Sequence, residues 1–296
     1  MVRDRGQEFE VQREERLMLS EVELIENVLG VHFTQVPTLI DSPTSWEMRM
    51  LAAKFSQRYN GPAKLVARWG LAEMINRSHG WYDPETGLIY KNKGTEYSPV
   101  VQGTEWELLR RTSYVSIHEG VHAGHHQLLK DQGIALEFFS SQKVECTEEL
   151  LTQMVWAEGV AEFGAASINE TIENSWAGAI RQNGGSEGDV DQMIKGNRIW
   201  LPTRLERDAD SMDRYLKCLR VYEKVYRPSS KLSDKLKFRK EWANNGTGIY
   251  YPVGLTYVEK VVGNLMEKGA DFYQAVRAVM LKSPNSIDEI EQVIRG

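Results

Sequence analysis

The segment SIHEGVHAGHHQ, residues 116–127, carries four of the six histidines of this 296-residue chain. Within it His118, Glu119 and His122 spell HExxH, a spacing that has chemical meaning only on a helix. Residues four apart on an α-helix share one face about 6 Å apart, so two imidazoles can converge on one tetrahedral zinc at about 2.1 Å each. Glu119 then flanks the metal without ligating it and is placed to take a proton from a metal-bound water. The opposite side, Tyr114, Val115, Ile117 and Val121, supplies the apolar back that such a helix needs. Four histidines on one helix are hard to explain as surface decoration. Gly124 is expected to end or kink the helix, which would make His125 and His126 pocket-wall or capping residues.

A catalytic zinc takes three protein ligands and keeps a fourth position open, so another acid or imidazole must come from elsewhere. WAEGVAEF, residues 156–163, meets that need. Glu158 follows His122 by 36 positions, and Glu162 lies one turn further along a helix whose other positions, Val155, Ala161 and Phe163, are apolar. Like charges at this spacing repel unless a cation lies between them or one serves another partner. Glu158 is therefore read as the third ligand. Glu162 is read as the carboxylate that accepts the second ring N–H of a ligating histidine and fixes its orientation. The plain alternative is that both face solvent.

Around this centre the periodicity is mostly helical. Helices are expected over 8–30, from a cap at Ser45 to about 59, from Pro62 to Ile75, from a cap at Thr104 to about 130, over 147–176, over 190–227 and over 255–281. The run 183–189 reads as a loop and GTGIYYPVG, 246–254, as an irregular glycine-rich segment. HGWYDPETGLIYKN alone reads as a β-hairpin at 79–92, with DPETG as its turn. The fold class is mainly α with a small β-hairpin or sheet, an α+β chain dominated by helix. One domain over 1–296 is expected, with an N-terminal helical segment over 1–78, the hairpin 79–92, the metal-site helices 104–180 and a C-terminal helical segment over 190–296.

Composition narrows the function. A net charge of −6, with basic residues scattered among acidic ones, argues against a nucleic-acid partner or an anionic membrane. MVRDRGQEFEVQREER is too charged for a secretory signal, and no apolar run approaches a membrane span. Two cysteines, Cys146 and Cys218, fit a reduced cytoplasmic protein. There is no P-loop, dinucleotide fingerprint, nucleophile elbow or EF-hand loop.

HEGVH followed by a helix bearing WAEGVAEF resembles the gluzincin metallopeptidases, the thermolysin-like clan. The likeness covers residues 104–165 well and the rest only in general layout. It implies a gluzincin-like architecture with Zn²⁺ held by His118, His122 and Glu158, Glu119 as general base and Glu162 orienting a histidine. A looser likeness is to proteins with HEGxPGHH, a later EGWA and a YxxG element. HEGVHAGHH is one residue longer than the first of these, which leaves His122, His125 and His126 as competing second imidazoles, with His122 favoured by its i, i+4 geometry. Tyr251 and Gly254 match YxxG. Gluzincins are similar in using a downstream tyrosine or histidine as oxyanion donor, which implies Tyr251, or its neighbour Tyr250, for that role.

The expected activity is a zinc-dependent metallopeptidase that hydrolyses a peptide or small peptide-like substrate by a metal-activated water. Two alternatives share the metal: a hydrolase of a non-peptide amide or peptide-like metabolite, and a non-catalytic metal-stabilised scaffold. Residues 87–92 are a candidate edge strand for pairing with an extended substrate. His79, Arg110 and Arg111 are read as ordinary polar residues. The sequence does not fix the oligomeric state.

Overall fold

A computed structural model describes residues 14–41, 43–56, 80–91, 114–135, 148–197, 247–286, 288–290 and 292. The expected helix from Pro62 to Ile75, the cap at Thr104, His79, Arg110, Arg111, both cysteines and positions 198–227 of a further expected helix lie outside these residues, as does the Tyr250 side chain.

The first expectation to fail is the helix over 8–30. Residues Glu14–Leu17 form strand β1, and helix α1 starts only at Leu19 and ends at Leu29. Leu17 and Leu19 are exposed while Met18 between them is fully buried, an alternation that belongs to extended chain rather than to a helix face. The Met18 N–H donates to the Pro37 carbonyl at 3.1 Å, so pairing across the sheet overrides local helix preference. The partner of β1 is β2, Thr38–Asp41, a strand that the sequence pattern did not reveal.

The expected hairpin is present as β3, Gly80–Asp83, and β4, Leu88–Lys91. The sheet order is β1-β2-β4-β3, with β2 parallel to β4 and the other two pairings antiparallel. This corrects the candidate edge: β4 is hydrogen-bonded on both sides, and among the described residues the edge next to the site helix is β3. Helix α2, Ser45–Ser56, is capped by Thr44 rather than Ser45. Thr44 Oγ1 accepts from the Glu47 N–H at 3.2 Å, and the Glu47 carboxylate accepts from the Thr44 N–H at 2.8 Å, a capping box one residue earlier than expected.

Helix α3, Tyr114–Asp131, runs through Gly124 without ending there. That glycine marks a close approach: a Cβ on it would lie 2.8 Å from the Phe33 ring. The helix stops instead at Gly133, whose φ is 68°, with the Ile134 N–H returning to the Leu129 carbonyl at 2.9 Å. Helix α4, Glu148–Gln182, is 35 residues long. Val155, Trp156, Ala157, Val160 and Ala161 are buried on several of its faces because α3, α1 and a later helix all pack against it.

After the turn at Gly184, α5 covers Glu187–Asn197. The segment read as an irregular loop at 246–254 is helical from Thr247, the first turns of α6, Thr247–Glu267. The helix expected over 255–281 is thus two: Gly269, at φ 97°, breaks it, and Asp271 opens α7, Phe272–Met280, with a capping box to Gln274. The Trp156 indole N–H donates to the Val279 carbonyl at 3.3 Å and ties α7 to α4. The described residues form a helix-dominated fold with one small sheet, and no helix among them is long and apolar enough to cross a membrane.

Candidate metal centre

Helix α3 carries His118, Glu119 and His122 into the interface with α4, where all three are buried. Their backbone positions follow from packing on the far side of the helix. Ile117 lies in the core, and Gly120 lets Ile25 of α1 approach so closely that a Cβ there would sit 2.8 Å from its Cδ1. Anchoring one face by apolar contact turns the histidine face toward α4.

There Glu158 meets both imidazoles. Its Oε2 lies 3.2 Å from His118 Nε2 and 3.3 Å from His122 Nε2. The three donor atoms all fall within 4.8 Å of one another. Four ligands about 2.1 Å from a tetrahedral zinc stand about 3.4 Å apart, so the two histidine–carboxylate spacings fit the edges of that figure. The donor chemistry fits as well, two neutral-capable imidazoles and a carboxylate. One turn along α4, Glu162 Oε2 lies 3.2 Å from His118 Nδ1, on the ring nitrogen that faces away from Glu158. His118 is thereby held from both sides, and its ring meets that of His122 edge to face at 4.9 Å.

The electrostatics are those of a charge-dense buried group. Burial pushes the Glu158 carboxyl up, but the charge and hydrogen bonds of His122 and His118 outweigh it and hold it at about 2. Burial likewise pushes His118 down, and the hydrogen bonds to Glu158 and Glu162 with the charge of Glu119 more than reverse it, leaving its pKa well above the usual histidine range. Glu119 is raised by burial and by Glu158, against the opposing pull of the two histidines and the Tyr82 N–H. A carboxylate with raised proton affinity is suited to take up a proton.

Tyr251 reaches this group from α6. Its ring centroid lies 5.6 Å from that of His118 while the side chain keeps 36% of its surface exposed. The negative charge of Glu158, followed by burial, lifts its phenol well above the ordinary value, so it stays a hydrogen-bond donor at neutral pH. The correction concerns its setting: it projects from a helix and not from a loop.

The remaining histidines do not cap α3. His125 is fully buried and is kept neutral chiefly by that burial, with a pKa of about 3. His126 lies one turn beyond His122, and its Nδ1 is 3.0 Å from the Tyr82 hydroxyl. Of the competing imidazoles, His122 is the one that shares Glu158 with His118.

Tyr82 escaped sequence reasoning. It sits on the edge strand β3, its backbone N–H hydrogen-bonds Glu119 and its hydroxyl engages His126. Gly80 permits this: a Cβ there would lie 2.5 Å from Val115 Cγ1 and 3.0 Å from Glu119 Oε1. The glycine opening the hairpin was the available signal. The chain matches no protein-family model, no curated protein and no solved structure.

Proposed function

We propose that the chain is a zinc-dependent metallopeptidase of gluzincin-like architecture. The observation that carries this reading is the buried Glu119 beside three converging donors, His118, His122 and Glu158. A site that served structure alone would close its fourth position and have no use for a non-ligating carboxylate next to it. Zinc bound there would polarise a peptide carbonyl and lower the pKa of a water to near neutrality. The chain's own residues supply the rest. Glu119, its proton affinity raised, accepts a proton from the attacking water and delivers it to the leaving amine. Glu162 fixes the His118 ring through Nδ1, and Tyr251 donates a hydrogen bond to the carbonyl oxygen as negative charge develops on it.

The test is cleavage of a diverse synthetic peptide library, read by mass spectrometry, with zinc-loaded wild type beside Glu119→Gln. The variant should keep its zinc and lose turnover by at least about 10³-fold. Equal cleavage by both proteins would refute the mechanism, and no cleavage by zinc-replete wild type would favour the non-peptide amide hydrolase or the scaffold.

A further inference from the structure

Where α6 crosses α4 the two backbones touch at a pair of glycines. A Cβ on Gly254 would lie 2.2 Å from the Val155 carbonyl oxygen and 2.7 Å from Gly159 Cα. A Cβ on Gly159 would lie 2.3 Å from the Gly254 carbonyl carbon and 2.4 Å from its oxygen. Ordinary contact begins at 3.4 Å, and every atom met here is backbone, which cannot swing aside. Neither helix turns a corner at this point, so the glycines serve close approach and not an unusual dihedral angle.

Their positions matter for the site. Gly159 follows the carboxylate donor Glu158 directly, and Gly254 lies three residues after Tyr251, on the same side of α6. The crossing point is thus about one helical turn from the phenol and next to the residue that joins the two imidazoles. His118, His122 and Glu158 all come from α3 and α4, so α6 contributes no donor to the metal group. We propose that Gly159 and Gly254 are positioning residues for turnover, a helix contact whose closeness sets how far Tyr251 reaches over His118. The proposal rests on the metallopeptidase reading and adds to it the element that fixes the oxyanion donor.

Substituting Gly254→Ala would force the helices apart by about 1 Å, a displacement that in a reacting site costs on the order of 100-fold in rate. The experiment combines Gly254→Ala, Tyr251→Phe and the double variant in zinc-loaded protein, with Glu119→Gln and Val258→Ala as references. Val258 is fully buried one turn further along α6, so its truncation weakens packing without spreading the crossing. Gly254→Ala should keep full zinc content, lose kcat about 100-fold and leave KM nearly unchanged, while Val258→Ala keeps its kcat. Tyr251→Phe should lose roughly 10²- to 10³-fold, and adding Gly254→Ala to it should cost nothing further. Independently of activity, the His118 ring-proton NMR signals of metal-free protein should move in Gly254→Ala and stay put in Val258→Ala, because the Tyr251 ring shifts only in the first.

Full multiplication of the two losses, wild-type turnover in Gly254→Ala, or an unmoved His118 signal would overturn the proposal. So would failure of both Gly254→Ala and Gly159→Ala to fold with zinc bound, since the donor set is required to survive a shift of α6. If Glu119→Gln retains turnover, the peptidase reading itself is what has failed.

Discussion

Two buried polar clusters lie within reach of α3, and they are built on opposite plans. In the hairpin, Asp83 is almost fully buried, and the Lys54 ammonium approaches its two carboxylate oxygens at 2.9 and 2.6 Å. The Glu85 N–H and the Thr86 hydroxyl complete its hydrogen bonding. Lys54 also meets the exposed Glu85 carboxylate at 2.7 Å, so one ammonium ties two carboxylates, and fixed donors satisfy the buried one. The candidate metal centre sets Glu119, Glu158 and Glu162 against two imidazoles, neither of which carries a permanent charge. Buried charge is tolerated when it is paired; a proton on His118 supplies part of that pairing in metal-free protein, and the proposed zinc would supply it in the loaded protein. The hairpin cluster gives its buried carboxylate a lysine and fixed donors, whereas the group between α3 and α4 sets three carboxylates beside two imidazoles.

The sharpest way to break this contrast is to remove a donor from the candidate metal centre. Glu158→Ala should lower zinc affinity by more than about 100-fold, since even residues behind the ligands are worth 10- to 100-fold. Competition against a chelating dye measures it, and retention of near wild-type affinity would dismiss the His118–His122–Glu158 assignment. The complementary change is Lys54→Met in the hairpin cluster. It strands the Asp83 charge and should destabilise the fold by about 3 kcal/mol, at the low end for a broken buried pair because Lys54 is 29% exposed. Zinc should still bind Lys54→Met as it binds wild type. A loss of zinc affinity in denaturant-matched titrations would show that the two clusters are one unit.

What the sequence disclosed divides along the same line as these clusters. The HExxH helix, the second helix with its paired glutamates and the hairpin turn are local patterns, each with its own periodicity or turn chemistry, and all three are present. Strand β1 pairs with β2 across 20 intervening residues, Met18 to Pro37, and β2 with the distant β4, and nothing local marks β1 or β2. Gly124 and the GTGIYYPVG segment misled because glycine and proline signal a stop in isolated helices. In the folded chain Gly124 and Gly254 are where another element comes close. Tyr82 acts on Glu119 through a backbone N–H, a group that every residue but proline has, so its side chain carried no message.

The smallest effect expected is also the one that separates proton from metal in the candidate metal centre. In metal-free protein His118 titrates well above 6.5, despite burial, because of its bonds to Glu158 and Glu162, and Glu158 is held at about 2. The folded state therefore favours a protonated His118 and an ionised Glu158. That stabilisation is complete between the unfolded values of 4.5 and 6.5. It fades as pH rises through the raised histidine value or falls toward the depressed carboxyl value. Zinc bound by the proposed donors would take the place of the His118 proton and release it, so affinity should climb about tenfold per pH unit up to the raised pKa. Melting temperatures should mirror this, the metal-free protein losing stability on the alkaline side and the zinc-loaded protein holding it. A zinc affinity that stays flat between about pH 6 and 8 would mean that His118 holds no proton for the metal to displace. Its contact with Glu158 would then be a hydrogen bond between a neutral ring and a carboxylate, and the candidate metal centre would need a different account of how its charge is balanced.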